Sequence, residues 1–437
     1  MSTESGASRQ GPALVRAVGV PGAVLMGLGS ILGTGIFVGL GVAAGVTGPS
    51  VLLAIGLAAV VATFNGLSSA ALAASHPVSG GTYEYGYRYL NPALGFTAGW
   101  MFLCAKSASA ATAALGFAGY VQASLDVPGA HRVPLALAAV VVLTLVVAGG
   151  IRRSNQANAI IVSITLLALA AFVLFGLPSA WNGSGADFSS LVSGSGRSQG
   201  ARGFLQATAL MFVAYTGYGR IATLGEEIRE PRRLIPRAIV LTLALTALIY
   251  GAVGGVAVAA IGADALAAAT QKAAAPLVTV ASSFSVPFVA RLVAVGAITA
   301  MLGVLLNLLL GLSRVVLAMA RRGDAPSRFS AVDAHGSPRA AVLLVGAIIA
   351  LLTTLGSVGT TWSFSAFTVL VYYAITNLAA LRLPPGDRLY PAWIPALGLA
   401  SCLGLAFWVE PLIWGAGLAL IAAGLLARRL LSRAAPG

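Results

Sequence analysis

The 437-residue chain offers few side chains that do chemistry, and their spacing argues against catalysis. Its three histidines, His76, His131 and His335, are far apart and lie in connecting stretches. No His-Glu-x-x-His pair is present to hold zinc on one helix face. Cys104 and Cys402 sit inside apolar segments and imply neither a disulfide framework nor a metal cluster, so no cofactor is expected. The residues that stand out are of another kind. Gly27, Gly29, Gly33, Gly35, Gly39 and Gly41, with Ser30 and Thr34 among them, crowd one apolar run. Tyr215-Thr-Gly-Tyr-Gly219 interrupts another, and Lys106 and Arg220 place full charges inside apolar runs. The first run does not satisfy Gly-x-Gly-x-x-Gly, because Leu32 stands where the third glycine belongs and no strand precedes it. The chemistry left to such residues is binding. Backbone N–H and C=O groups freed where a helix is interrupted hold charged groups of a small molecule.

The elements that must position these residues follow from composition. Apolar residues make up 58% of the chain and charged residues 9%, against about 25% charged in a soluble domain. That balance belongs to an integral membrane protein. Apolar runs recur at residues 20–44, 50–74, 94–123, 133–150, 157–178, 203–224, 237–261, 291–320, 340–356, 361–381, 392–408 and 411–427. Lipid offers backbone groups no hydrogen-bond partners, so each run is expected to be a spanning helix, twelve in all. The stretch from Ala274 to Pro287 is short and interrupted, which suits a re-entrant or interfacial segment.

The net charge of +14 is read through topology. Of the 26 basic residues, 19 fall in segments that are cytosolic if the N-terminus is, among them Arg152, Arg153, Arg232, Arg233, Arg321, Arg322, Arg428 and Arg429. Lys106 and Arg220 lie within spans, and only Arg132, Arg197, Arg202, Lys272 and Arg291 fall on the outer side, so both termini are expected in the cytosol. The charge orients helices and meets anionic lipid headgroups at the cytosolic face; nucleic acid is not required to explain it. The two glycine clusters interrupt the first and sixth spans, which are corresponding places in an inverted repeat of spans one to five and six to ten. The plainer reading, that Gly29/Gly33 and Gly35/Gly39 only let helices pack closely, fits the spacing of span one but not the coincidence with span six.

At this point the sequence resembles the amino acid-polyamine-organocation transporters. Gly29-Ser-Ile-Leu-Gly-Thr-Gly-Ile-Phe37 is similar to that superfamily's glycine-rich first helix, and Pro77-Val-Ser-Gly-Gly-Thr-Tyr83 through Asn91-Pro92 and Gly99-Trp100 to its second loop. Phe212-Val-Ala-Tyr-Thr-Gly-Tyr218 with Glu226-Glu227-Ile-Arg-Glu-Pro231 is similar to its sixth helix and the loop after it, and Ser313-Arg314 to Gly323 to the end of its eighth. The resemblance implies an amino acid permease with an all-α, leucine-transporter-like fold. Discontinuous helices 1 and 6, alternating access and two extra C-terminal helices belong to that expectation. The organisation expected is one domain over residues 1–437. It has a cytosolic tail at 1–19, helices 1–5 in 20–178, helices 6–10 in 203–381, helices 11–12 in 392–427, and a tail at 428–437. Carried over residue by residue, a substrate carboxylate meets Ser30, Ile31, Thr34 and Gly35, with Gly33 and Gly35 permitting close approach. An α-amino group meets the carbonyls near Ala214, Tyr215 and Thr216, within a break that runs on through Gly217 and Tyr218.

Departures from the pattern shape the rest. Gly219 and Arg220 follow the sixth-helix aromatic where many members carry a carboxylate, and Ser163 and Thr165 replace the lysine many sodium-independent members carry in helix five. Gly303-Val-Leu-Leu-Asn307 lacks the hydroxyls of a sodium site, so sodium coupling is disfavoured and H+ is the candidate coupling ion. Lys106 is expected to face the bundle interior and supply a positive charge near the transport path, because an ammonium at mid-membrane costs about 2.5–3.5 kcal/mol. Snorkelling to an interface is its bland alternative. Arg220 is expected to pair with Glu226 or Glu227 as a structural pair or inner gate, and Asn307 to bond between helices. Trp362, Ser363 and Ser365 are weaker candidates for the cavity. With no carboxylate in the central spans, a neutral amino acid is the expected cargo across the cell membrane. An amine or polyamine carrier of the same fold, a channel and a non-transporting sensor are the alternatives.

Overall fold

The computed structural model describes residues 18–77, 80–125, 131–150, 155–182, 200–222, 228, 230–333 and 337–434, and among them it is helical throughout. The chain begins with α1 (Val20–Ile31), a π-helical turn (Gly35–Gly39) and α2 (Leu40–Thr47), then α3 (Val51–Ser75) and the short α4 (Thr82–Tyr89). α5 (Pro92–Leu125), α6 (Arg132–Ala148) and α7 (Asn155–Asn182) follow. α8 (Gly200–Tyr215) runs through a 3-10 turn (Thr216–Tyr218) into α9 (Gly219–Ala222). Next come α10 (Pro231–Ile261), α11 (Ala263–Ala273), α12 (Pro276–Ala281), α13 (Phe288–Arg321), α14 (Arg339–Leu355), α15 (Val358–Leu381), α16 (Trp393–Ala406) and α17 (Pro411–Ala434). The β-pairing among the described residues is an isolated parallel bridge between Val18 and Ile228.

Every apolar run in the sequence lies on one of these helices or on a pair separated by a break. Among the described residues, seven stretches are long and apolar enough to cross a membrane by length and composition, and α6, α14 and α16 are shorter apolar helices. Local signals fix several starts. Pro231 opens α10, where its missing N–H costs nothing. Ser357 caps α15 by accepting from Thr360 N, and the Asn91 carboxamide accepts from Leu94 N at the start of α5 (2.9 Å). The segment at 274–287 contains the six-residue α12, too short to cross, with Pro276, Leu277, Val280 and Ala281 buried. The last helix runs on to Ala434, past the expected boundary at 427.

α5 and α15 are the most enclosed of the long helices and pack against each other; α17 is the least enclosed. Large apolar side chains point outward on the periphery, among them Leu145, Ile160, Leu174 and Leu248, all at least 60% exposed. Such a surface suits lipid and not water. At one end of α5, α4 is pinned by Asp324, whose side chain is 5% exposed. Asp324 accepts from the Tyr83 and Tyr87 hydroxyls and from Arg428 Nε of α17 (2.9 Å). Arg322 bonds Glu84 (2.6 Å) and lies over the Tyr87 ring. Burial first, and then the Asp324 carboxylate, hold both phenols well above their ordinary range, so they remain donors.

Candidate substrate site at two helix breaks

The first break is a failure of the α-helical ladder. Leu32 N still reaches Leu28 O (2.7 Å), but Leu32 turns to an extended ψ of 99°. Gly33 O then starts the next half-helix, accepting from Ile36 N and Phe37 N. The half-helix before the break presents carbonyls there and the one after it presents N–H groups. The second break follows Tyr215. Thr216 turns its hydroxyl back to Val213 O (2.8 Å), and Thr216 O accepts from the Tyr373 hydroxyl of α15 (3.2 Å).

The two breaks touch. A β-carbon placed on Gly217 falls 2.4 Å from Ser30 O, and one on Gly35 falls 2.5 Å from the Ala214 β-carbon. Tyr250 of α10 joins them further, its single hydroxyl proton shared between Ile31 O (3.0 Å) and Ala214 O (3.1 Å). Thr34 is 4% exposed, and its hydroxyl has no partner among the described residues. Ser30 is committed to Met26 O (3.0 Å). Lys106 reaches in from α5, where Nζ donates to Thr216 Oγ1 (2.9 Å). An ammonium has three protons to place, and this is its one side-chain hydrogen bond among the described residues. No ion pair there includes it.

The structure therefore brings together Ser30, Ile31, Gly33, Thr34, Gly35, Ala214, Tyr215, Thr216, Gly217, Tyr218 and Lys106. The Lys106 ammonium points at the second break. The glycines of span one are crowded by protein: Gly29 by Asn158, Gly33 by Val304, Gly35 by Ala214 and Gly39 by the Trp362 indole. Close helix packing thus operates alongside the break. Tyr215 and Tyr218 turn their side chains away, Tyr215 to Ile55 O of α3 (3.3 Å) and Tyr218 against the Tyr373 ring. Arg220 is half-buried on α9, while Glu226 and Glu227, its expected partners, lie outside the described residues.

Some expectations need correction. Asn307 makes no side-chain hydrogen bond to a described residue, because it sits on a half-exposed stretch of α13. Ser163 is exposed and Thr165 is bonded within its own helix, so neither stands in for an intramembrane lysine. The polar residue that α7 does turn inward is Asn158, lying on Gly29 and reaching Leu25 O (3.4 Å). Trp362 does reach the site's edge, donating to Leu210 O (3.1 Å). Tyr250, Tyr373, Asn158 and Val304 had no sequence signal beyond a lone polar or β-branched residue in an apolar run.

Comparison with known proteins identifies the family. The family described as amino acid permease matches residues 22–428. An uncharacterized transporter of Mycobacterium tuberculosis is 42% identical over 97% of this chain and 93% of its own length. The branched-chain amino acid permease of Bacillus subtilis is 29% identical over 78% of this chain and 75% of its own. The human cationic amino acid transporter 4 is 31% identical over 82% of this chain and 58% of its own. These are transporters and permeases, not enzymes. With two helix breaks in contact and a family match from residue 22 to 428, the protein belongs to the amino acid permease family.

Proposed function

We propose that the protein carries a neutral amino acid across the cell membrane by alternating access, independently of sodium and with H+ as its coupling ion. In this reading twelve helices form a leucine-transporter-like fold. The five helices of residues 20–178 are repeated in inverted sense over 203–381, two further helices follow, and both termini are cytosolic. The observation that carries the reading is the contact between the two breaks, joined by Tyr250 and faced by the Thr34 hydroxyl, which has no partner among the described residues. The N–H groups after the first break suit the cargo carboxylate, with Ser30, Ile31, Thr34 and Gly35 around it; the carbonyls of Ala214, Tyr215 and Thr216 suit its ammonium. Occupying the second set means competing with Tyr250 and Tyr373 for those carbonyls.

Lys106 supports a neutral side chain on the cargo. It places a positive charge at the second break with no ion-paired carboxylate among the described residues, so a cationic side chain meets repulsion. The branched-chain relative fits this reading better than the relatives named for cationic amino acids. Purified protein in liposomes, given each of the twenty tritiated amino acids with and without sodium, tests the proposal. Saturable, sodium-insensitive uptake of neutral amino acids is expected. Preferential uptake of arginine, lysine or polyamines overturns the selectivity; unsaturable current or binding without flux overturns transport.

A further inference from the structure

Beyond Lys106, the same face of α5 carries Ser109 and then Thr112, each one turn further along. Each meets a hydroxyl of α15. Ser109 Oγ lies 2.8 Å from Ser365 Oγ, and Thr112 Oγ1 lies 2.8 Å from Thr361 Oγ1. All four are buried, yet in each pair either oxygen can be the donor. Thr112 also reaches Ala108 O (3.0 Å) and Thr361 reaches Ser357 O (2.8 Å), so that pair has two arrangements of its protons. Ser357 is the exposed N-cap of α15, 2.9 Å from Thr360 Oγ1. Hydroxyls thus run from the exposed start of α15 to the level of Lys106.

Hydroxyl pairs also hold helices together in lipid. Glue alone leaves one thing unexplained. A half-buried ammonium with a single side-chain acceptor is costly unless its proton can leave, and no described carboxylate is ion-paired with it to take that proton. The titratable and charged groups around Lys106 are Cys104 on its own helix, the phenols Tyr372 and Tyr373 from α15, and Tyr218 and Arg220 from the segment after the second break. α13 contributes none between Arg291 and Arg314, residues 20–47 contribute none, and α14 contributes none beyond Arg339. Arg132 of α6, the α4 side chains, Arg428 of α17 and α11, which carries Asp264 and Lys272, meet α5 towards its ends.

We propose that Thr361, Thr112, Ser365 and Ser109 form the path by which protons pass between the exposed start of α15 and Lys106. The proposal rests on the reading of Lys106 as the protonatable group of coupling. A proton arriving on Thr361 Oγ1 displaces that hydroxyl's own proton to Thr112. The transfer repeats through Ser365 and Ser109, with water bridging the rungs, which stand about 5.4 Å apart. Each hydroxyl gains one proton and gives one up, and the Lys106 amine gains one to become the ammonium.

The test uses the full-length protein in liposomes loaded with a pH-sensitive dye, driven by a tritiated mixture of the twenty amino acids at external pH 5.5 to 8.5. S109A/S365A and T112V/T361V are compared with wild type, K106M and the off-path control T353V. The expected result is that both ladder variants lower dye-reported proton entry by about tenfold or more. They also flatten the pH profile as K106M does, with KM for uptake unchanged and T353V behaving as wild type. Wild-type proton entry and pH profile in both ladder variants, with K106M altered, overturns the path alone. A wild-type profile in K106M overturns the reading of Lys106 and the path with it. If a double variant fails to reach the membrane, T361V against T361S makes the same comparison: the serine should retain proton entry and the valine lose it, and equal behaviour overturns the path.

Discussion

Replacing Gly217 with alanine tests whether contact between the breaks matters for transport. The added β-carbon falls 2.4 Å from Ser30 O, 2.5 Å from its carbonyl carbon and 2.6 Å from Ile31 Cγ1. The first two are backbone atoms, which cannot rotate aside, so the breaks must separate by most of an ångström. Overpacking of this kind costs about 1–3 kcal/mol. If the contact is needed in the step that carries cargo across, kcat/KM falls by roughly 5-fold to 150-fold at 1.36 kcal/mol per factor of ten. The control is Gly311→Ala on α13, where nothing lies within 4 Å of the new carbon and a helix gains propensity. Initial rates of tritiated amino acid uptake into liposomes, normalised to folded protein by fluorescence size-exclusion, give the comparison. Uptake by G217A within twofold of G311A, at equal folded yield, would refute the idea that the two breaks work as one site.

Three further outcomes are expected. Tyr250→Phe removes the proton shared by Ile31 O and Ala214 O and leaves two buried carbonyls to find partners, at about 1–3 kcal/mol. Its kcat/KM should therefore drop at least fivefold while the protein still folds, read by uptake kinetics; unchanged kinetics count against a role for the bridge. Lys106→Met removes the positive charge at the second break. Arginine should then compete with neutral amino acid uptake about tenfold better, a shift of one to two kcal/mol that falls within the range for like charges near a protein surface. Asp324→Ala strips a 5% exposed carboxylate from Tyr83, Tyr87 and Arg428 and should cost about 3–5 kcal/mol of stability, seen as a lowered melting temperature in detergent. Asp324→Asn should lose less, because it keeps an acceptor oxygen.

Much of this architecture is legible in the sequence because lipid makes the rules strict. An apolar run of span length has to be helical, and glycine crowded into its middle has to mean either a break or a tight contact. At residues 29–39 both are true. Lys106 stood out for the same reason: charge at that depth is too costly to be incidental. What the sequence withheld is rotation, meaning which face of a helix meets which neighbour. Tyr250 is one tyrosine in a 31-residue helix, and nothing local marks it as the residue that touches both breaks. The same ignorance of rotation hid Asn158, which is turned inward while Ser163, five residues on along the same helix, is exposed. The amphipathic α4 was hidden in a loop motif, since eight residues are too few to display a helical period.

The small backbone bridge between Val18 and Ile228 has a practical use. It stitches the entrance of the first broken helix to the segment that follows the sixth, at a distance from the contact at Gly217. Whatever displaces one of these segments must drag or tear the other. A dye on a cysteine introduced at Gly19, beside the bridge, would therefore report movement of the sixth helix without any label on that helix. The background is low, since one native thiol is buried and the other half-buried in apolar helices.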